Sequence, residues 1–495
     1  MRFINNGPDV PDRLVQAHED GKVVFFCGAG ISFPAGLPGF NELTSKTFEG
    51  LGESPNSTEN LAIHEKRFDV AFDLLERRIK NRLVVRKKIQ TILTPKELSD
   101  PQTTATHRAL LELAKGQSGN VRLITTNFDR IFQHVDSSLR SYVAPLLPIP
   151  KKSRWDGLVY LHGLLPEEED PNALNNLILS SGDFGLAYLT ERWASRFISE
   201  LFRSYNVCFV GYSLGDPVLR YMLDALAADR LRGEESNEVF AFGSYENETE
   251  EETREEWKAK GVIAILYHDR DKHSLLHQTL NKWAEIYRDG ITGRQAVIAR
   301  EASSPPSPIK TDGHIDRVLW ALMDPTGQSA KTFADLDPPP PLEWLEIFSD
   351  HRFSLVDLGK LGVANSSQNS AQLSYSLFDR PTSQTQSSPI ALVSKSEINL
   401  VFTQLDPVMF HLARWIIRHL EKPAVLSWII KSGCVLHPNF KDLILRVIDN
   451  PDRVFPQPLQ TIWRLICDDL VVNTQDNSGM PLYDWADRFK LHGGT

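Results

Sequence analysis

The chain has 495 residues, with Lys+Arg 54 against Asp+Glu 64 and a formal net charge of -10 at pH 7. A hydrophobic share of 41% and a charged share of 24% exclude a wholly disordered or collagen-like chain. The acidic balance repels phosphate backbones and makes nucleic acid a poor expectation as partner.

At roughly 100–200 residues per domain the length predicts two to four domains. The four cysteines, Cys27, Cys208, Cys434 and Cys467, lie far apart. With no CxxC pair among them, a zinc ribbon and a disulfide scaffold are both poor readings. No apolar run approaches the length of about 18 residues that a membrane helix needs, and MRFINNGPDV has no signal-peptide core. The expectation is a cytoplasmic chain with no membrane partner.

Short apolar runs rich in β-branched or aromatic residues predict strands at Lys22–Cys27, Val121–Thr126, Gly157–His162, Asn176–Ser180, Asn206–Gly211, Glu238–Gly243 and Gly261–Tyr267. Amphipathic segments between them predict helices at Phe68–Ile79, His107–Ala114, Leu189–Tyr205 and Pro217–Ala228. This alternation predicts an α/β fold, a Rossmann-like parallel sheet with helices on both faces. The acidic stretch Tyr245–Glu256 reads as a solvated loop and helix start. Composition changes near 300, where Glu301–Pro308 (EASSPPSP) reads as linker. Four prolines, Pro338–Pro341, interrupt the chain again, and Asn365–Gln372 and Thr382–Pro389 read as polar loops. After 400 the pattern is helical, with Asp406 as cap and Pro407 as first-turn residue. The expected organisation is a first domain at 1–290, a linker at 291–312, and a mostly helical region at 313–495. The ending KLHGGT shows no domain-closing pattern, which is what a fragment of a longer protein would show.

In an open parallel sheet, ligands bind at the carboxyl ends of the strands, so the residues just after each run are the candidates. After the first comes GAGISFPAGLPGF, Gly28–Phe40, whose glycines permit a tight turn and close approach to a phosphate. The sixth position is Phe33, so the dinucleotide fingerprint fails as written, and an ordinary glycine-rich turn fits too. After the second comes TTNFD, Thr125–Asp129, either an amide and a carboxylate for a crevice or an Asx turn and helix cap. His162-Gly163 follows the third, as a general base or as a satisfied core histidine. GYSLGDP, Gly211–Pro217, matches the hydrolase elbow G-x-S-x-G; a Ser213 nucleophile would need Asp269 and then His273 or His277.

Taken together and in order, GAGIS…GLPGF, TTNFD, LHG and GYSLGDP resemble the sirtuin family over roughly residues 15–285. The family's first element reads GAGIS-x-x-S-G-I-P-D-F-R, and Gly28–Asn41 aligns to it without a gap. TTNFD resembles the family's TQNID, His162-Gly163 its His-Gly, and Gly211-Tyr212-Ser213 its GTS. Two departures narrow the resemblance. Gly39 and Asn41 stand where the Asp and Arg of PDFR belong, and between His162 and Gly211, where deacetylating sirtuins carry two zinc-binding Cys pairs, only Cys208 occurs. The chain thus looks like the zinc-less, NAD-cleaving domains of bacterial anti-phage systems, the defence-associated sirtuins and Thoeris-type effectors.

That resemblance implies hydrolysis of NAD+ to nicotinamide and ADP-ribose, with NAD+ as substrate and no zinc. It assigns Asn127 to the ribose and the attacking water, and His162 to a general base or to a hydrogen bond with the ribose hydroxyls. Gly28, Ala29 and Gly30 would hold the pyrophosphate through backbone N–H groups, with Ser32 beside them and Ile31 also among the NAD-binding residues. Pro38 and Phe40 would shape the nicotinamide and ribose pocket, with Asp129 beside Asn127. Gly211, Ser213 and Leu214 would line the adenosine side. It further implies a homo-oligomer, commonly a tetramer, triggered by a phage protein or an associated ATPase of the HerA type. The rival functions are a protein deacylase, a serine hydrolase acting through Ser213, and a non-catalytic NAD or ADP-ribose sensor.

Overall fold

The computed structural model describes residues 1–116, 119–214, 219–223, 237–246, 250–269, 272–349, 392–394, 405, 407–431, 435–452 and 454–468. The chain divides into two compact units, Met1–Arg288 and Asp289–Thr495.

The first unit is built on a seven-stranded sheet: β1 (Val23–Cys27), β2 (Arg122–Thr125), β3 (Ser141–Val143), β4 (Gly157–Tyr160), β5 (Asn206–Val210), β6 (Val239–Tyr245) and β7 (Ile263–His268). Their order is β3-β4-β2-β1-β5-β6-β7, and every pairing is parallel. All five residues of β1 are buried, as a central parallel strand covered on both faces requires. Side chains alternate across it. Val24 and Phe26 join a core with Ile198, Leu201 and Phe202 of the helix Trp193–Ser204 and Trp257 of the helix Glu250–Ala259. Phe25 points to the other face, with its ring 5.6 Å from both His18 and Trp283. These belong to the helices Asp12–Glu19 and Ser274–Arg288. The expected sheet with helices on both faces is therefore present.

The chain leaves β1 for β2 on one side and later returns to β5 on the other. The crevice at the carboxyl ends of β1, β2 and β5 is thus a topological switch point. Between β1 and β2 lies a helical insertion, Phe40–Gly50, Ser57–His64, Phe68–Ile79 and Arg82–Leu93. Its core of Leu43, Phe72, Leu75, Val85 and Ile89 also takes in Leu174, Leu177 and Leu179.

Two strand expectations change. The short edge strand β3 has no strong apolar run to announce it. Asn176–Ser180 (NLILS), expected as a strand, is not one. Leu177, Ile178 and Leu179 are buried, but among the described residues no strand pairs with them. The Ile178 amide donates to the His162 carbonyl at 2.9 Å. The Arg86 guanidinium takes the carbonyls of Leu174 at 2.7 Å, Asn175 at 3.1 Å and Leu177 at 2.8 Å. A buried side chain serves the strap's backbone in place of a neighbouring strand. The helix expected at Leu189–Tyr205 begins at Trp193, after a π-helical turn at Gly185–Thr190. That expected at Pro217–Ala228 lies mostly outside the described residues.

The second unit is mostly helical where described, as expected, with one two-stranded antiparallel pair, Val393–Ser394 against Val435–Leu436. Of the expected linker 291–312, the first part is the helix Gly290–Glu301 with Val297 and Ile298 buried, and only the stretch that follows is irregular. Phe333, Trp344, Phe348 and Trp415 form an aromatic core with ring centroids 5.3–6.4 Å apart. The proline run is docked, since the Trp415 indole donates to the Pro340 carbonyl at 2.9 Å. The Pro407 and Pro423 signals open the helices Pro407–Ile417 and Pro423–Lys431. Asp406, Asn365–Gln372 and Thr382–Pro389 lie outside the described residues.

Candidate functional site

The turn after β1 and the turn after β5 lock together by backbone contact. The Gly28 amide donates to Val210 O at 2.8 Å, and the Gly30 amide to Gly211 O at 3.0 Å. Gly211 has φ +77, and a Cβ there would lie 2.7 Å from the Ile31 nitrogen. Only glycine fits such an approach in the left-handed region. One consequence departs from the expectation for the pyrophosphate. The Gly28 and Gly30 amides are occupied inside the fold, and of the expected trio only Ala29 and Gly30 reach a cavity wall.

Two cavities open at this edge of the sheet and share Ala29 and Phe40. The smaller, about 70 Å³, is lined by Ala29, Ser32, Pro38, Phe40, Asn127, Asp129 and His162, with Phe184, Ile178 and Leu43 among its apolar walls. The larger, about 550 Å³, is lined by Gly30, Phe33, Asn41, Gly211 and Ser213, with His64, Lys66 and His273 as its basic groups. Ten of the expected residues thus share this crevice. Gly28, Ile31 and Leu214 are not among those lining either cavity. Ile31 is fully buried, and the Leu214 carbonyl accepts from Lys260 Nζ at 2.9 Å.

Asn127 sits just past β2, its amide nitrogen capped by Thr125 Oγ1 at 3.0 Å. Its side-chain Nδ2 donates to Ser32 Oγ at 3.2 Å. Ser32 in turn donates to Asp129 Oδ2 at 3.0 Å and lies 3.3 Å from His107 Nε2. Burial pushes the Asp129 carboxyl up, while hydrogen bonds from the Ile131 amide, Ser32 and Asn127 pull it back. Below them, the Tyr212 hydroxyl donates to Cys27 O at 3.2 Å and is 2.6 Å from Thr126 Oγ1.

His162 ends β4 and is only 1% exposed. Its Nε2 is 2.8 Å from the Tyr188 hydroxyl, and Phe184 packs edge-on at 5.2 Å. Burial lowers its pKa to about 3, so the imidazole is neutral across the physiological range. Gly163 follows at φ +98, where a Cβ would strike Leu177 of the strap at 2.9 Å. Tyr188 belongs to the π-helical turn, a geometry common at functional sites.

Reasoning from the sequence missed His107 and Tyr188. Each falls within a helical stretch, where a polar residue on an apolar pattern carries no signal of its own. It also weighed Ser213 as a nucleophile. Ser213 is exposed, and among the described residues no hydrogen bond joins it to His273 or His277. His273 is held by Tyr267 at 3.1 Å, and His277 is 2.9 Å from Thr106 Oγ1.

Residues 121–265 match the family model described as a SIR2-like domain. That stretch is similar to a SIR2-like domain. The matched stretch supplies Asn127, Asp129, His162, Gly211 and Ser213, while β1 and its glycine turn precede it and pair with β2 and β5 inside the same sheet. The chain is also 32% identical over 334 residues to the uncharacterized protein y4cA of Sinorhizobium fredii (strain NBRC 101917 / NGR234). That alignment covers 65% of this chain and 27% of the relative, so the chain spans about a quarter of the relative's length. Among the described residues, no group of three or more His, Cys, Asp or Glu side chains is arranged to hold a metal ion. No described helix is long and apolar enough to cross a membrane.

Proposed function

We propose that the first unit hydrolyses the nicotinamide–ribose bond of NAD+: NAD+ and water give nicotinamide, ADP-ribose and a proton. The observation that carries this reading is the pair Asn127 and His162 in the wall of one small cavity, which adjoins a larger one through Ala29 and Phe40. A dinucleotide has this bipartite shape. In this reading the nicotinamide end and its ribose enter the small cavity between Pro38, Phe40 and Phe184. Adenosine and pyrophosphate lie in the large one, against Gly211 and Ser213. Lys66 adds positive charge to that wall, where Asn41 replaces the arginine of the sirtuin motif.

The bond to cationic nicotinamide is poised to break, so the protein has to orient the ribose and position water. Asn127 does both through its amide. A histidine with a pKa of about 3 is a poor general base near pH 7. His162 therefore acts as a neutral hydrogen-bonding partner for the ribose hydroxyls. Hydrolysis is favoured over protein deacylation because the stretch from His162 to Gly211 holds one cysteine, the β5 residue Cys208, and the PDFR segment is altered. The wider setting we propose is cytoplasmic anti-phage defence by NAD+ depletion, in a homo-oligomer, favoured as a tetramer, released by a phage protein or a partner ATPase.

The test is nicotinamide release from NAD+ by the purified chain. Asn127→Ala and His162→Ala are each expected to lower it by at least about 100-fold. Ser213→Ala should lower it by less than about tenfold, as a binding contact would. Full activity in both of the first two variants overturns the assignment. NAD+-dependent removal of an acyl group from a peptide would support a deacylase instead, and labelling of Ser213 by a fluorophosphonate a serine hydrolase. In cells, NAD+ loss during phage infection that disappears with Asn127→Ala would support the defence setting.

A further inference from the structure

We propose that His107, which lines neither cavity, is a positioning residue. Its ring N–H fixes the Ser32 hydroxyl and, through it, the orientation of the Asn127 amide. The inference rests on the reading of Asn127 as the residue that orients ribose and water.

The argument is one of hydrogen-bond capacity. A serine hydroxyl has one proton to give and two lone pairs to accept with. Ser32 Oγ has three polar neighbours: Asp129 Oδ2 at 3.0 Å, Asn127 Nδ2 at 3.2 Å and His107 Nε2 at 3.3 Å. In its ionised form, which the hydrogen bonds from the Ile131 amide, Ser32 and Asn127 favour against burial, the Asp129 carboxylate can only accept, so the proton goes there. Both remaining neighbours must then donate. Asn127 donates through Nδ2, and His107 must carry its proton on Nε2.

The surroundings of the ring agree with that tautomer. His107 Nδ1 is buried and has no hydrogen-bond partner among the described residues, which a bare lone pair tolerates far better than an N–H would. Burial lowers the ring's pKa to about 3, so it carries a single proton to place. The ring is fully buried and held edge-on by Phe132 at 4.8 Å, which leaves little freedom to turn away.

The direction of the chain matters for Asn127. With its proton given to Asp129 and one lone pair filled by His107, Ser32 offers Asn127 only an acceptor. The amide must present Nδ2 to Ser32, which leaves Oδ1 for the cavity that Asn127 lines. Were His107 unable to donate, Ser32 could turn its proton toward Asn127, only Asp129 would still hold the Nδ2 side, and the amide could flip. The cavity would then face a donor where it needs an acceptor for a ribose hydroxyl or water. Asp129 and His107 do not form a nucleophile triad around Ser32. In a triad the carboxylate holds the histidine, whereas Asp129 holds the serine and His107 Nδ1 has no orienting partner.

The experiment combines a double-mutant cycle with rescue. Nicotinamide release is measured for the wild type, Ser32→Ala, His107→Leu, the double variant and His107→Gln. His107→Leu is expected to lower kcat about tenfold or more with a smaller change in KM, because orientation rather than binding is lost. His107→Gln, which keeps an N–H near the Nε2 position, should recover kcat to within about threefold of wild type. The double variant should be no slower than Ser32→Ala alone, because His107 acts only through Ser32. Multiplicative losses in the double variant, or no recovery with Gln, would overturn the proposal. A second measurement does not depend on turnover. Long-range 1H–15N correlation of the wild-type His107 ring should show the Nε2–H tautomer at pH 7, and an Nδ1–H or doubly protonated ring overturns the inference. If the wild type releases no nicotinamide even with candidate activators present, the ring signals decide the network by themselves.

Discussion

The Tyr188 hydroxyl lies 2.8 Å from His162 Nε2, and the ring carries a single proton because burial keeps it neutral. If the phenol donates, the ring proton sits on Nδ1; if it accepts, Nδ1 is a bare acceptor. Either way Tyr188 sets what the substrate meets. Tyr188→Phe removes the contact and keeps the ring that packs 5.8 Å from Phe184. It is expected to lower kcat for nicotinamide release about tenfold, the effect of one lost hydrogen bond to an oriented group. Thermal unfolding should move by only a few degrees, because the cavity formed is one oxygen in size. Asn127, Asp129 and His162 were legible in the sequence because each follows an apolar run, and strand ends are where such sheets place chemistry. Tyr188 and His107 were not legible. Their roles come from which neighbour they meet, and that neighbour lies 26 residues away for Tyr188 and 75 for His107.

Two elements hold the site together, the paired glycine turns and the strap from Leu174 to Leu179. In the turns, Gly28, Gly30 and Gly211 bring the ends of β1 and β5 within backbone contact. A methyl group at Gly211 would meet the Ile31 nitrogen at 2.7 Å and Gly28 O at 3.0 Å, on a residue with φ +77. Gly211→Ala is therefore expected to cost at least about 2 kcal/mol, measured by denaturant unfolding, through left-handed strain plus displaced backbone. It should also lower NAD+ affinity, since the turn forms part of the larger cavity. The strap rests on a buried ion network. Arg86 is fully buried and bonds Glu76 at 2.8 Å and Asp183 at 2.5 Å besides the strap carbonyls. Burial alone would raise the Asp183 carboxyl, but Arg86, the Ser180 amide and Arg82 hold it below its ordinary value. Sequence pattern cannot see such an arrangement. NLILS has the length and apolarity of a buried strand, and only the arginine 90 residues earlier, Arg86 against Asn176, explains why it needs no sheet partner. The strands that were legible, β1, β2, β4, β5, β6 and β7, differ in having neighbours on the sheet to take their backbone groups.

At the scale of the whole molecule, the first unit hides histidines on both sides of its sheet. Burial lowers His18 and His277 to about 4 and His107 and His162 to about 3. Each has an ordinary value near 6.5 once the chain unfolds. A group with a depressed native pKa costs nothing at pH 7, where it is neutral in both states. As pH falls below about 6.5, the unfolded chain takes up a proton that the native ring refuses. Stability then drops by up to about 1.4 kcal/mol per pH unit for each such histidine, until the native pKa is reached. Glu76 and Asp129 run the other way, because burial raises both, so in more acid solution their native protonation recovers part of the loss. The window of steepest loss is thus pH 6.5 to about 4, well above the range where paired surface carboxylates titrate. Unfolding at pH 5.5 is expected to take up at least about three protons from these four rings, read by potentiometry or from the pH dependence of denaturant midpoints. His107→Gln should reduce that uptake by about one proton, because it removes a ring that stays neutral in the native state and charges on unfolding. An uptake near zero would mean that the rings are already charged in the native protein, which would remove both the neutral role given to His162 and the tautomer given to His107.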